Sequence, residues 1–258
     1  MHGLRWRLFP PCHRKFPAAV LFLVLLSSPS ACSGSSGSGS SFVPAAQPTI
    51  TPAAPAQEVR FSTADGATLS ATIYGQGTRA VILSNEGDNN SIPWRPAAQL
   101  LASHGYLVLH YAYRARGANL DQLAAHALTD LHSAIAFLRA RPLAKLILIG
   151  ASLGALVSLK AAVAERFDGV VAISSPVGFQ DIQLSDADLQ QITAPKLFVT
   201  SEHNQPFARD TLHMFDVSPE PKAKQVYPGD QHGTILFSGA NGPALRSSLL
   251  SFVQRYAA

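Results

Sequence analysis

A serine between two glycines is the first feature of this sequence that could do chemistry. Residues 150–154 read Gly-Ala-Ser-Leu-Gly and stand between the apolar run 146–150 and a helical pattern that begins at Leu153. This G-x-S-x-G spacing is typical of a tight strand-to-helix turn that lifts the serine hydroxyl above a sheet edge, with glycines where side chains would collide. The start of the helix also offers backbone N–H groups that favour negative charge. Ser152 is therefore the candidate nucleophile.

A histidine near the end of the chain is the candidate base for Ser152. His232 lies in the segment Gly-Asp-Gln-His-Gly at 229–233, between the last strand pattern and the final helical pattern. A serine hydroxyl needs a neighbouring base to accept its proton, and the order serine before histidine fits one known arrangement. The two residues together predict nucleophilic catalysis. A tight turn with a structural serine and a surface histidine are the alternative interpretation.

The elements that must position these residues are apolar strands that alternate with amphipathic helices. Helices are predicted at 94–104, at 153–164 and at the C-terminus. A further helix is predicted to begin after Asn119, which can cap it because Gln122 stands three residues on. Strands that are apolar throughout and separated by helices predict a parallel sheet covered on both faces. The predicted strands are 59–62 and 68–74, which form a hairpin, then 80–84, 106–111, 146–150, 170–174, 196–201 and 224–227.

From about Glu58 to the C-terminus, the chain resembles α/β-hydrolases of the small, dienelactone-hydrolase-like kind. The resemblance rests on residues 150–154, on the strand 196–201 after Ala194-Pro195, and on residues 229–233. It implies an α/β-hydrolase fold with a mostly parallel central sheet, helices on both faces and a minimal lid. About 20 residues separate the strand at 170–174 from the strand at 196–201, which leaves room for one short helix at 186–191.

The sequence departs from that family beside the expected oxyanion hole. Residues 85–87 read Asn-Glu-Gly where the family has His-Gly, and residues 112–115 read Ala-Tyr-Arg-Ala where it has Asp-x-Arg-Gly. The resemblance implies that the oxyanion is held by the N–H of Leu153 and a second N–H near Asn85 or Glu86, a role that backbone can fill. A Glu86 carboxylate beside the oxyanion would be unfavourable unless it points away.

The family's triad acid is also missing from its usual place. That position aligns with Asn204, whose amide can hold the tautomer of an imidazole but cannot stabilise an imidazolium as a carboxylate does. Glu202 is the carboxylate nearest to the end of the strand, so we expect Glu202 to be the acid, with Asn204 as the orienting alternative. Further candidates are Asp181, Asp210 and, least favoured, Asp230.

These residues predict a serine hydrolase of carboxylic esters that forms an acyl-enzyme on Ser152 with His232 as general base. Small or surface-bound esters are expected because the lid is short. No cofactor is expected, and no metal, because residues 58–258 contain neither a cysteine nor an H-E-x-x-H spacing. A catalytically impaired binding module on the same fold is the main alternative, since the family features above are lost together. A peptidase is a third.

The first 32 residues have the pattern of an export signal. A basic segment without an acidic residue precedes the apolar run 16–26, which is too short for a membrane-spanning helix. Small residues then lead to Cys32, which resembles the lipidated cysteine of a bacterial lipoprotein, although Pro29 stands where leucine is usual. An ordinary cleaved signal peptide is the alternative. The basic residues are Arg5, Arg7, Arg14 and Lys15.

A linker and the charge balance complete this organisation. Residues 33–57 are rich in Ser, Gly, Pro and Ala and predict a flexible tether before a domain at 58–258. The net charge of +4 belongs to the leader, because the rest of the chain has 16 basic and 16 acidic residues. Nucleic acid is therefore not an expected partner. We expect an exported protein of the bacterial cell envelope, anchored to the membrane by lipid.

Overall fold

The computed structural model describes residues 56–114 and 119–258. The predicted signal, Cys32 and the linker up to residue 55 lie outside the described residues. In the described part the strands are β1 Gln57–Ser62, β2 Thr68–Tyr74, β3 Arg79–Ser84, β4 Leu107–Tyr111, β5 Lys145–Ala151, β6 Gly169–Ile173, β7 Gly178–Phe179, β8 Ile182–Gln183, β9 Lys196–Ser201 and β10 Lys222–Tyr227. The α-helices are α1 Arg95–Ser103, α2 Leu120–Arg139, α3 Leu153–Ala164, α4 Asp186–Gln191, α5 Phe207–Val217 and α6 Gly242–Tyr256.

Six neighbouring strands of the main sheet, β4, β3, β5, β6, β9 and β10, run parallel. Its order is β1-β2-β4-β3-β5-β6-β9-β10, and the pairings of β1 with β2 and of β2 with β4 are antiparallel. Every other neighbouring pair of this sheet runs parallel. The loops that follow β3, β5, β6, β9 and β10 therefore leave the sheet at one edge, and side chains distant in sequence meet there.

Apolar side chains cover both faces of the sheet, as the sequence predicts. One core cluster joins the sheet to α2, α3, α4 and α5, and a second joins it to α1 and α6. Helix α3 is buried on nearly all sides because it lies over the centre of the sheet. This packing fixes the start of α3, and with it the turn that carries Ser152.

Most predicted elements are confirmed, with shifted ends where the pattern is weak. Asn119 caps α2 through the predicted capping box: its side chain accepts from Gln122 N at 2.9 Å, and Asn119 N donates to Gln122 Oε1 at 3.3 Å. The predicted helix at 94–104 instead begins as a 3₁₀ turn, Ile92–Trp94, and continues as α1. Strand β10 begins two residues earlier than predicted, because the polar Lys222 pairs with Lys196 of β9.

The segment between β6 and β9 forms a small lid. It contains the predicted helix α4 and also the β7–β8 hairpin, which the sequence analysis did not predict. Leu189 of α4 is fully buried in the core cluster, so α4 packs onto the body of the domain. No helix in residues 56–114 and 119–258 is long and apolar enough to cross a membrane.

Candidate active site

The turn between β5 and α3 holds Ser152 in a conformation that few residues adopt. Its φ of 51° and ψ of −116° lie outside the usual regions for residues with a side chain. A Cβ atom on Gly150 would overlap the carbonyl of Gly154, and one on Gly154 would overlap the carbonyls of Ser84 and Asn85. The two glycines are therefore required by contact, the first within the turn and the second against the end of β3.

The start of α3 lies beside the loop that follows β3. Leu153 is the first residue of the helix, so its N–H has no acceptor within the helix. Gly154 touches the carbonyls of Ser84 and Asn85, which brings the Asn85–Glu86 backbone next to the helix N-terminus. The structure thus brings the predicted oxyanion residues Leu153, Asn85 and Glu86 to one place.

The side chain of Asn85 is used to hold its own loop. His110 Nε2 lies 2.6 Å from Asn85 Oδ1, and because that oxygen can only accept, the histidine nitrogen carries the hydrogen. Asn85 Nδ2 donates to Tyr111 O at 3.2 Å and to Asn89 Oδ1 at 3.0 Å. Burial lowers the pKa of His110 to about 3, so the ring stays neutral. Asn85 can therefore reach an oxyanion only through its backbone.

His232 sits immediately before a 3₁₀ helix, Gly233–Phe237, in the loop after β10. Ser201 Oγ donates to Gln231 O at 2.7 Å, which ties this loop to the end of β9. The ring of Phe207 packs against the imidazole with 4.1 Å between ring centroids. Burial lowers the pKa of His232, so its neutral form, which can act as a base, prevails at neutral pH.

A short chain of contacts connects Ser152 to His232. Ser152 N donates to Ile173 O at 2.8 Å. The next residue, Ser174, is fully buried with a φ of 50°, and its Oγ accepts from Gly233 N at 3.0 Å. The backbone of the candidate nucleophile and the backbone beside the candidate base are therefore linked through the end of β6.

Asn204 occupies the Nδ1 side of the imidazole. Its Nδ2 donates to Ser174 Oγ at 3.0 Å and lies 3.1 Å from His232 Nδ1. The same heavy-atom positions fit an amide turned by 180°, because amide N and O are exchanged by that rotation. In that orientation Asn204 Oδ1 accepts from both His232 Nδ1–H and the Ser174 hydroxyl, which leaves Nε2 free to act as the base.

The carboxylates expected from the sequence to orient His232 lie elsewhere. Glu202 is exposed just after β9, and no hydrogen bond or ion pair in the described part of the chain joins it to His232. The reason is local: the chain turns after Ser201, which points residue 204 toward the imidazole and residue 202 toward solvent. Asp181 and Asp230 are exposed, and the buried Asp210 accepts from Val177 N.

Glu86 approaches His232 from the other side of the ring. Its Oε1 accepts from the backbone N–H of Thr234, at 2.6 Å, and from the Thr234 hydroxyl. Its Oε2 lies 3.8 Å from His232 Nε2. The carboxylate of Glu86 is thus bound by the loop that carries His232.

Four of these residues were missed by the sequence analysis. Ser174 and Phe207 carry weak signals, namely a polar residue at the end of a buried strand and an apolar residue at the start of α5. Thr234 gives none, because its partner Glu86 is 148 positions away. His110 was visible as a histidine in an apolar strand, yet only the fold shows that it faces Asn85.

Large apolar side chains that stay exposed in the described residues cluster near these loops. Ile235 lies three positions after His232, and Ile92 lies in the 3₁₀ turn that packs against the helix of Ile235. Leu120 covers Gly87 so closely that a Cβ there would overlap its side chain. We call Ile92, Leu120 and Ile235 the apolar rim.

Comparisons with known proteins agree with this architecture. Residues 87–253 match the model of the alpha/beta hydrolase family. The esterase domain of a Rhodothermus marinus protein is 17% identical, covers 80% of this chain and 100% of its own, and has a TM-score of 0.65. A dienelactone hydrolase from Anabaena variabilis is 18% identical, with 79% and 99% covered and a TM-score of 0.64.

A third solved structure is similar in the same way. The esterase of Pyrococcus furiosus is 16% identical, covers 79% of this chain and 93% of its own, and has a TM-score of 0.65. A comparison with curated protein sequences gave no match. At these identities the solved structures show only that the fold is similar. Membership of the family is shown by its model, which matches most of the chain. The chain belongs to the alpha/beta hydrolase family.

Proposed function

We propose that the chain is a serine hydrolase that cleaves carboxylic esters. The observation that carries this proposal is the strained Ser152, held at a helix N-terminus and linked through Ser174 to the loop of His232. Ser152 combines a positive φ with a ψ of −116°, and backbone strain of this kind clusters where a reactive group must be presented. Esters are preferred over amides as the substrate class because an alkoxide is the better leaving group.

The reaction would follow the usual two-step course of an acyl-enzyme. Ser152 Oγ attacks the acyl carbonyl while its proton passes to His232 Nε2. The Leu153 N–H and a backbone N–H of Asn85 or Glu86 stabilise the oxyanion. His232 then donates the proton to the leaving alkoxide, and water releases the acyl group by the same route in reverse.

The apolar rim supports small esters with an apolar group as the preferred substrates. A site with a short lid leaves the rim accessible, and each buried methylene contributes roughly 0.8 kcal/mol to binding. In a series of aryl esters, kcat/KM should rise from acetate to hexanoate in the wild type and less steeply in Ile235→Ser. Equal slopes for the two proteins would remove the rim from substrate binding.

A binding module on the same fold is the second candidate, and one observation favours it. His232 Nδ1 faces the amide of Asn204 where the family has a carboxylate, and loss of that charge weakens a triad. A fluorophosphonate probe with peptide mapping separates the two candidates. Label on Ser152 that disappears in Ser152→Ala supports the enzyme, whereas an unlabelled Ser152 in a folded protein supports the binding module.

We also propose that the chain is exported and anchored to the membrane by lipid on Cys32. The support is the basic start, the short apolar run, the small residues before Cys32 and the Ser/Gly-rich segment that follows. Cys32→Ser should move the protein from the membrane fraction to the soluble fraction and remove the mass of the lipid. A variant that stays in the membrane fraction, with no lipid mass on the wild type, would contradict lipidation.

A further inference from the structure

The reactive nitrogen of the candidate base faces a carboxylate. Glu86 Oε2 lies 3.8 Å from His232 Nε2, and the Glu86 side chain is only 12% exposed. Among the described residues, Glu86 is the acidic residue within ion-pair distance of His232, and the pair is charged only when the imidazole is protonated. Its distance exceeds that of a hydrogen bond, so the carboxylate attracts a positive imidazolium without binding the proton on Nε2.

The loop after β10 is shaped around this carboxylate. Both hydrogen bonds from Thr234 go to Oε1, which leaves Oε2 directed at the imidazole. Gly233 has a φ of 51°, and a Cβ at that position would overlap both carboxylate oxygens. Three consecutive residues, His232 to Thr234, therefore contact or make room for the side chain of Glu86, which is distant in the sequence and adjacent in the fold.

The chemistry of the site needs a negative charge at this place. When Ser152 attacks, His232 gains a proton and becomes positive, and its burial makes that charge costly. On the Nδ1 side, Asn204 offers a dipole and no charge. The other acidic and basic groups that surround the loops after β3, β9 and β10 are exposed or paired elsewhere: Asp88, Glu202, His203, Arg209, Asp210 and Asp230.

We propose that the triad is divided between two residues: Asn204 orients His232 through Nδ1, and Glu86 supplies the counter-charge from the Nε2 side. This inference rests on the proposed function. In the attack step the Oγ–C bond forms, the serine O–H bond breaks and the proton moves to Nε2. During the attack the π electrons of the carbonyl move onto its oxygen. When they return, the C–O bond to the leaving group breaks and the proton passes from Nε2 to the leaving alkoxide, so charge and atoms balance. Burial raises the pKa of the Glu86 carboxyl above its usual value. The counter-charge is that of the ionised carboxylate, which takes no proton in either step.

The test removes the charge of Glu86 and keeps its shape. Glu86→Gln should lower kcat about 10²-fold on a short-chain aryl ester, with little change in KM, because the charge matters only once the imidazolium forms. It should also move the acidic limb of the kcat/KM profile to lower pH, since losing a nearby negative charge lowers the pKa of His232. Asp88→Asn, an equal loss of charge in the same loop, should leave kcat unchanged, because Asp88 is exposed and acts only by raising the pKa of Glu86.

A rescue separates the proposed charge from a merely structural role. Asn204→Asp returns a carboxylate to the Nδ1 side, so adding it to Glu86→Gln should restore most of the lost kcat and the position of the limb. Glu86→Asp keeps the charge and serves as the second variant if the glutamine variant folds poorly. It should retain the wild-type acidic limb.

The outcomes distinguish this inference from the function on which it rests. Loss of kcat in Glu86→Gln with rescue by Asn204→Asp supports the divided triad. The divided triad is overturned if Glu86→Gln keeps the wild-type kcat and acidic limb, or if it loses kcat and Asn204→Asp does not restore it. In either case an active wild type still supports the hydrolase. A wild type with neither turnover nor label on Ser152 overturns both.

Discussion

The two halves of the candidate site are built in different ways. The turn around Ser152 is local, because the nucleophile and both required glycines lie within five consecutive residues. His232 lies in the loop after β10, and its surroundings come from three other loops, with Glu86 after β3, Ser174 after β6 and Asn204 after β9. Steric overlap allows only glycine at positions 150 and 154 of the turn. A charge or dipole that stabilises the imidazole can instead approach it from more than one direction. The same fold can therefore keep its nucleophile and rearrange its acid.

The largest expected effect comes from His232, around which the second half is built. His232→Ala should lower the turnover of an aryl ester by roughly 10⁴-fold, because the general base and the orientation of the nucleophile are lost together. His203→Ala is the control, since His203 is an exposed histidine just after the neighbouring strand β9. Circular dichroism should show that both variants fold. Near-normal turnover in His232→Ala would remove this residue from the mechanism.

The turn around Ser152 should be destabilised by a substitution that makes atoms overlap. Gly154→Ala places a Cβ into the carbonyls of Ser84 and Asn85, and such overpacking costs about 1–3 kcal/mol. Urea unfolding should show this loss, and labelling of Ser152 by a fluorophosphonate should slow as the turn shifts. Gly66→Ala is the control, because open space surrounds that position and only its positive φ opposes a side chain. If Gly154→Ala were as stable as the wild type and labelled normally, contact would not explain the glycine.

The difference between the halves also explains what could be predicted from the sequence. The nucleophile turn, the capping box at Asn119 and the helix α4 follow from neighbours in the chain, and the structure has all three. Asn204 and Glu202 differ by two positions, and only the direction of the turn after β9 decides which reaches His232. The pairing of Glu86 with Thr234 spans 148 positions, so it depends on the order of strands in the sheet.

The Nδ1 side of the imidazole should respond more weakly than the base itself. Asn204→Ala should lower kcat about tenfold through loss of orientation, and Asn204→Asp should raise kcat by returning a charge to that side. Glu202→Gln should change little, because the exposed Glu202 forms no hydrogen bond or ion pair with His232 in the described residues. Turnover of one short-chain ester by the three variants decides the question. A strong loss in Glu202→Gln alone would return the role of the acid to Glu202.

The smallest expected effect is a displacement of the pH profile, and it tests the environment of His232 directly. Burial beneath Phe207 disfavours the imidazolium, so the pKa of His232 is lowered from the usual value near 6.5. Because the proposed base is the neutral ring, we expect activity to be retained above that pKa and lost as the pH falls through it. The acidic limb of kcat/KM, measured from about pH 4 to about pH 8, should therefore lie below 6.5.

Phe207→Ala supplies the matched comparison for that displacement. Removing the ring exposes the imidazole to water, which stabilises its charged form and should move the acidic limb upward toward 6.5. Glu86→Gln should move the limb in the opposite direction, because it removes negative charge and leaves burial unchanged. If the acidic limb moves up in Phe207→Ala and down in Glu86→Gln, the effect of burial on the pKa of His232 is separated from the effect of charge. A limb at or above 6.5 in the wild type would show that charge around His232 outweighs its burial.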